Sequence, residues 1–153
     1  MRIRRARPTD IPALERLEHE LYTEDLVDAD EWAYHLANPA HEVWLYEDGR
    51  GLLADLLLTA RAASTNLRIE GIAVAKRAQG KGYGKRLIDQ AKRRAKARGK
   101  ARITLEVRRD NARAVKVYRD AGFRIVGSLP GYYEDGGDAV RMLYPLRGSS
   151  AFG

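Results

Sequence analysis

Two hydrophobic rhythms alternate along the chain, and their order predicts its elements. Ile3 opens a short alternating stretch that ends near Arg7 and reads as a strand. Ile11, Leu14, Leu17, Glu18 and Leu21 then recur at helical spacing, with Thr9 or Asp10 as the expected cap and Pro12 in the first turn. A second short helix is predicted over Asp30–Ala37, stopped by Asn38-Pro39. Val43–Tyr46 and Leu52–Ala60 read as strands joined by a turn through Gly49 and Gly51. Leu67–Val74 is a further strand, followed by a glycine-rich turn. The helix after it runs from Gly84 to Ala97, with Leu87, Ile88, Ala91 and Ala95 inward and Arg86, Asp89, Arg93 and Lys96 outward, and ends at Gly99. Ala101–Val107 returns to period two, placing Ile103, Leu105 and Val107 on one side. Asn111 caps a helix to Ala121, packed through Val115 and Tyr118 and closed by Gly122. Two last strands, Phe123–Val126 and Ala139–Leu146, flank a turn from Gly131 to Gly137. The order β-α-α-β-β-β-α-β-α-β-β predicts an α/β fold, a mixed sheet with helices on both faces. Residues 1–146 are expected to form a single domain, and 147–153 a frayed tail.

Composition narrows the chemistry. The 153 residues contain no Cys, which excludes disulfides, a thiolate nucleophile and zinc–thiolate sites. His19, His35 and His41 are the only imidazoles, no HExxH pair exists, and no metal is expected. The basic start Met1–Arg7 leads into Pro8-Thr-Asp10 where a signal peptide would be apolar, and Asp55 interrupts the greasiest run. A cytoplasmic protein without a membrane span is therefore expected.

Charge is segregated. Residues 10–55 hold thirteen acidic side chains against Arg16 and Arg50, a net of −11. Residues 76–102 hold twelve basic ones against Asp89, a net of +11. The second stretch suits an anionic partner and the first a cationic one, unless both are simply solvated faces. The glycine turn Gln79-Gly80-Lys81-Gly82-Tyr83-Gly84-Lys85 lies within the basic stretch, between a strand and a helix. Alternate glycines let main-chain N–H groups crowd one anion, and the helix start adds positive partial charge. The P-loop spacing fails at Gln79 and Arg86, and the Rossmann spacing fails at Lys85. A pyrophosphate cradle is the reading these residues favour over a plain turn.

Gly71-Ile-Ala-Val74 followed by Gln79-Gly-Lys-Gly-Tyr-Gly84 resembles the acetyl-CoA signature of the GCN5-related N-acetyltransferase (GNAT) family. Leu105-Glu-Val-Arg-Arg-Asp-Asn111, with Ala114, Tyr118 and Ala121-Gly-Phe123, resembles that family's second half. Within it, Leu105–Arg108, Gly131-Tyr-Tyr133 and Asp138-Ala139 are similar to the protein N-terminal (ribosomal-protein-alanine) acetyltransferases. The resemblance implies two splayed parallel strands, Leu67–Val74 and Ala101–Val107, admitting the cofactor's arm. It implies acetyl-CoA as cosubstrate, held by the main chain of Ile72, Ala73 and Val74, by Gln79 to Lys85, and by Asn111 and Tyr118. Glu106 is then the general base and Tyr118 the acid toward sulfur, with Glu70 a reserve base near the substrate. Tyr132 and Tyr133 would flank the acceptor, and the acidic loop from Glu24 to Glu31 could steer a cationic one.

The activity implied is direct acetyl transfer to an amine, foremost the α-amino group of a protein or peptide, by a monomer or homodimer. A lysine, polyamine or other small amine is the alternative acceptor. Two further readings are a silent acetyl-CoA sensor and a basic nucleic-acid-binding module. The last is weakened because no RNA motif or interleaved aromatics accompany the basic helix.

Overall fold

The computed structural model describes residues 2–23, 26–61 and 63–146. The chain divides into two compact units, Met1–Thr59 with Glu70–Leu87, and Ala60–Ile69 with Ile88–Gly153. The predicted tail lies outside the described residues, as do Glu24 and Asp25 of the acidic loop. Among the described residues, no helix is long and apolar enough to cross a membrane.

The first unit holds β1 (Ile3–Arg5), α1 (Ile11–Leu21), α2 (Ala29–Ala37), β2 (Glu42–Asp48), β3 (Gly51–Thr59) and the later part of β4 (Asn66–Val74). Its strands follow the order β1-β2-β3-β4. β1 and β3 both run antiparallel to β2, with Ile3 opposite Tyr46 and Glu42 opposite Leu58. Leu53 through Leu58 are all buried, so β3 lacks the alternation of a half-exposed strand. Leu14, Trp32, Val43 and Leu57 form the core, flanked by Ile11, Val27, Leu36 and Leu52. Asp28 caps α2 by accepting a hydrogen bond from the Glu31 N–H.

Asp10 departs from its expected role. It precedes α1 in helical conformation without capping it, and its carboxylate accepts from the Arg7 N–H and the Arg4 guanidinium instead. It closes a 3₁₀ turn, Pro8–Asp10, after which the Ile11 N–H reaches the Pro8 carbonyl.

The second unit holds the start of β4, most of α3 (Tyr83–Ala97), β5 (Arg102–Arg108), α4 (Ala112–Asp120), β6 (Arg124–Leu129) and β7 (Ala139–Pro145). Strand order here is β4-β5-β7-β6. β4 and β5 are the parallel pair, and their ladder covers only Asn66↔Arg102, Leu67↔Ile103 and Arg68↔Thr104. β4 nonetheless continues to Val74 and β5 to Arg108. β7 is antiparallel to both β5 and β6. Ile103, Leu105 and Val107 are buried in alternation along β5, leaving Arg102, Thr104, Glu106 and Arg108 on its open face. Gly99 closes α3 at φ 66°, where the Lys100 N–H reaches the Ala95 carbonyl.

No residue of α4 is fully buried, so the expected packing through Val115 and Tyr118 is partial. The Tyr118 ring meets Phe123 edge-on at 5.6 Å, and Phe123 meets Tyr144 at 5.4 Å. Gly122 turns between them at φ 99°, and a Cβ there would lie 3.0 Å from the Tyr144 ring.

Two substitutions test this packing in urea unfolding. Leu14→Ala should cost about 2–5 kcal/mol, because it empties a fully buried site. Gly122→Ala should cost roughly 1–3 kcal/mol through its backbone conformation and the crowded ring.

Candidate functional site

In the first unit, the glycine turn adopts a backbone that depends on its glycines. Gly80 and Gly82 take φ values of 78° and 88°, a region that side chains with a Cβ rarely enter. The Gly82 carbonyl accepts from the Arg86 N–H, so α3 begins here and its first-turn N–H groups face outward along the axis. Lys81 and Lys85 are exposed beside it. This arrangement fits a polyphosphate, although the side chains divide their duties. Tyr83 is buried against Tyr46, with the Arg86 guanidinium over its ring, so that ring is engaged in packing. The Gln79 side chain folds back to the Val74 carbonyl at 3.1 Å.

The end of β4 lies next to this turn in sequence. Ala73 is buried, whereas Ile72 and Val74 are half-buried. The Ile72 carbonyl accepts from the Tyr22 hydroxyl at 3.5 Å, and each carbonyl keeps a second lone pair for a ligand. Glu70 is exposed on the same strand and accepts from the Thr59 hydroxyl at 3.3 Å. Burial lowers the pKa of His35, opposed by the charge of Glu70, and His35 meets His41 Nδ1 to Nδ1 at 3.0 Å.

A buried acid pair near Tyr22 was not foreseen as a site. Asp55, on β3, is 2% exposed, and its Oδ2 has no hydrogen-bond partner. Glu18, on the buried face of α1, accepts from the Val27 N–H at 3.3 Å. Burial pushes both carboxyls upward, Asp55 well above the usual range, with the charge of Glu18 adding to the shift of Asp55. The Tyr22 phenol is itself pushed up to about 12, first by burial and then by Glu18 and Asp55. Both acids were visible as misfits, one inside an apolar helical stripe and one inside an apolar strand.

In the second unit, Glu106 lies at the centre of a polar cluster. Its side chain is only 6% exposed. Arg68 Nη2 approaches Oε1 at 2.6 Å, and Arg141 Nε approaches Oε2 at 3.0 Å. The Tyr132 hydroxyl accepts from Arg68 at 2.9 Å and donates to Glu106 Oε1 at 3.5 Å. Tyr133 stacks edge-on against Tyr132, and the Arg108 guanidinium lies over its ring at 4.1 Å. Arg108 also pairs with Asp135 at 3.0 Å. The predicted base and both predicted acceptor tyrosines are therefore brought together, and the guanidinium partners of Glu106 are Arg68 and Arg141. These two arginines were missed, because Arg141 stands opposite Glu106 only in the β5–β7 register and Arg68 reaches it from β4. Asn111 caps α4, its side-chain oxygen accepting from the Ala114 N–H at 3.1 Å.

The Asp55 carboxyl predicts an unusual pH dependence. Its folded-state pKa lies above its unfolded value, so its contribution to stability is complete below about pH 4 and is lost as pH rises through the folded value. Asp10 has the opposite sign: Arg4 holds its pKa down, and its contribution is lost as pH falls. In thermal scans, Asp55→Asn should gain on the parent chain as pH rises from about 4 toward neutrality, with no gain below about pH 4. A difference that stays flat over that window would refute the buried acid's role.

Residues 10–123 match the Acetyltransferase (GNAT) family. A mycothiol acetyltransferase of Beutenbergia cavernae is 41% identical over 83 residues, which are 53% of this chain and 28% of that protein. The chain thus spans well under half of that relative. Ard1 from Thermoplasma volcanium aligns with a TM-score of 0.84 at 27% identity, covering 95% of this chain and 97% of that one. The ribosomal-protein-S18-alanine N-acetyltransferase from Escherichia coli gives the same TM-score at 24% identity, covering 94% and 92%.

Proposed function

Because the chain belongs to the acetyltransferase (GNAT) family, we propose that it transfers acetyl from acetyl-CoA to the α-amino group of a protein or peptide. The observation that carries this reading is the meeting of Glu106 with the Tyr132 hydroxyl at the open face of β5. Tyr132 is 43% exposed and Tyr133 adjoins it, so two amphipathic rings stand beside a carboxylate. Such rings suit the short backbone at a peptide's start.

Acetyl-CoA supplies an acyl group already activated as a thioester. The glycine turn and the start of α3 hold its diphosphate, and the main chain at Ile72 to Val74 receives its arm. Glu106 takes the proton that the amine nitrogen loses as it forms the new bond to the acetyl carbon. As the carbon–sulfur bond breaks, the Tyr118 hydroxyl donates to the departing thiolate. An α-amino group needs little help near neutrality, since its pKa is about 8, whereas a lysine near 10.4 needs far more. Both carboxylate oxygens of Glu106 are engaged by guanidinium groups, so an incoming amine competes with those donors for the same lone pairs.

Three measurements test the proposal. A panel of peptides, free amino acids, spermidine and peptides with blocked N-termini but free lysines should show acetylation of the free peptide N-termini first. Preference for spermidine or for lysine side chains would redirect the acceptor. Glu106→Gln should lower kcat by roughly 10²- to 10⁴-fold with the fold retained by circular dichroism. Gly82→Ala, placed at φ 88°, should instead raise the KM for acetyl-CoA while leaving the acceptor KM near its original value.

A further inference from the structure

Residues 75–79 join the end of β4 to the glycine turn, and they are fastened from several sides of the first unit. The Ala75 N–H reaches the Leu53 carbonyl on β3 at 2.8 Å. The Lys76 N–H donates to the Glu20 carboxylate, in the last turn of α1, at 2.8 Å. Arg77 lays its two terminal nitrogens on the two oxygens of Asp48 at 2.9 and 3.0 Å, and adds a bond to the Gly51 carbonyl at 3.3 Å. Asp48 stands at the turn between β2 and β3, where it also accepts from the Arg50 N–H at 2.8 Å. Ala75 and Ala78 are buried, whereas Lys76 and Arg77 are exposed.

The two oppositely charged stretches of the sequence meet here. Glu20 and Asp48 belong to the acidic one and Arg77 to the basic one, and the charges of both acids act on Arg77. As a source of fold stability the Arg77–Asp48 pair is weak, because its side chains are 34% and 28% exposed and water screens them. As a fixture of position it is strong, since two parallel N–H···O bonds set both a distance and an angle. The residues that follow need such a fixture. Gly80, Gly82 and Gly84 have no Cβ, and a chain of that kind loses much freedom when it is ordered around a ligand. Anchoring the segment just before them lowers that cost in advance.

We infer that Arg77 and Asp48, with Glu20, are positioning residues for the diphosphate of acetyl-CoA: they hold segment 75–79 so that the N–H groups of the glycine turn are set before the cosubstrate arrives. This rests on the reading of that turn as the diphosphate cradle. The three side chains act through the main chain they hold. Because Asp48 neutralises Arg77, the contribution of the pair is geometric and not an attraction for anions. Loss of the clamp therefore weakens only those acetyl carriers that bear a diphosphate.

S-acetylpantetheine, which carries the thioester and the arm without the diphosphate, separates position from general damage. In Arg77→Gln and in Asp48→Asn, the KM for acetyl-CoA should rise roughly three- to tenfold, the worth of one charge-assisted pair. Their kcat at saturation should stay within about twofold of the parent, and kcat/KM for S-acetylpantetheine should hardly move. The double variant should lose no more than either single one, because both remove the same contact. Arg77→Lys should recover only part, since an ammonium lacks the planar fork. Glu20→Ala, which takes the acceptor from the Lys76 N–H, gives a second, independent rise in the same KM. Unfolding midpoints should stay close to the parent's, as an exposed pair implies. Calorimetric titration with CoA and with pantetheine makes the same comparison without turnover, and decides the matter if no acceptor is acetylated. An unchanged KM and Kd for the CoA forms, or equal losses for both carriers, would overturn the inference. The parent chain judges the cradle itself. If it shows no preference for CoA over pantetheine, cradle and clamp fall together; a preference that survives Arg77→Gln and Asp48→Asn removes the clamp alone.

Discussion

The ion-paired carboxylate of Glu106 is the contact on which the second unit's chemistry turns. The parallel ladder between β4 and β5 ends at Arg68 and Thr104, so main-chain pairing goes no further. The Arg68 side chain reaches past its register partner to Glu106, which also meets Arg141 directly across the antiparallel ladder. One side chain thus links three strands where the backbone has stopped doing so. Its near-complete burial makes this a constraint, because removing either guanidinium would leave a shielded charge poorly compensated. The same contact keeps the carboxylate's orientation fixed while the donors themselves stay partly in water.

Charge segregation, the most conspicuous property of the sequence, acquires different meanings in its two halves. Acidic residues between 10 and 55 are spent on strand edges, helix starts and ion pairs, or withdrawn from water altogether. In the basic stretch, Arg77 joins Asp48 and Arg86 covers Tyr83, while Lys81 and Lys85 stay exposed at the glycine turn. A net charge counted along the chain therefore says little about a surface until the partners are known.

Local signals were the most legible. Hydrophobic period separated every helix from every strand, Gly99 and Gly122 ended helices as expected, and Asn111 capped one. The glycine turn was readable because backbone conformation at Gly80 and Gly82 depends on residue type alone. What escaped was anything set by pairing across the sheet. The partners of Glu106 lie 38 residues before it and 35 after it, distances over which no periodicity speaks. Asp10 looked like a cap because its type and position suit one, but Arg4, six residues before it, and the Arg7 N–H claimed its carboxylate. Glu18 and Asp55 were visible in the sequence as polar residues in apolar runs, and only their burial shows that they belong to one environment.

Asn111 carries a consequence of its own. Its side-chain oxygen accepts from the Ala114 N–H and keeps one lone pair, while its NH₂ carries two donors. A visitor that brings an oxygen lone pair, such as an amide carbonyl, is met by those two donors. An aspartate in its place would hold the helix equally well and reverse that polarity, keeping the architecture while repelling the same visitor.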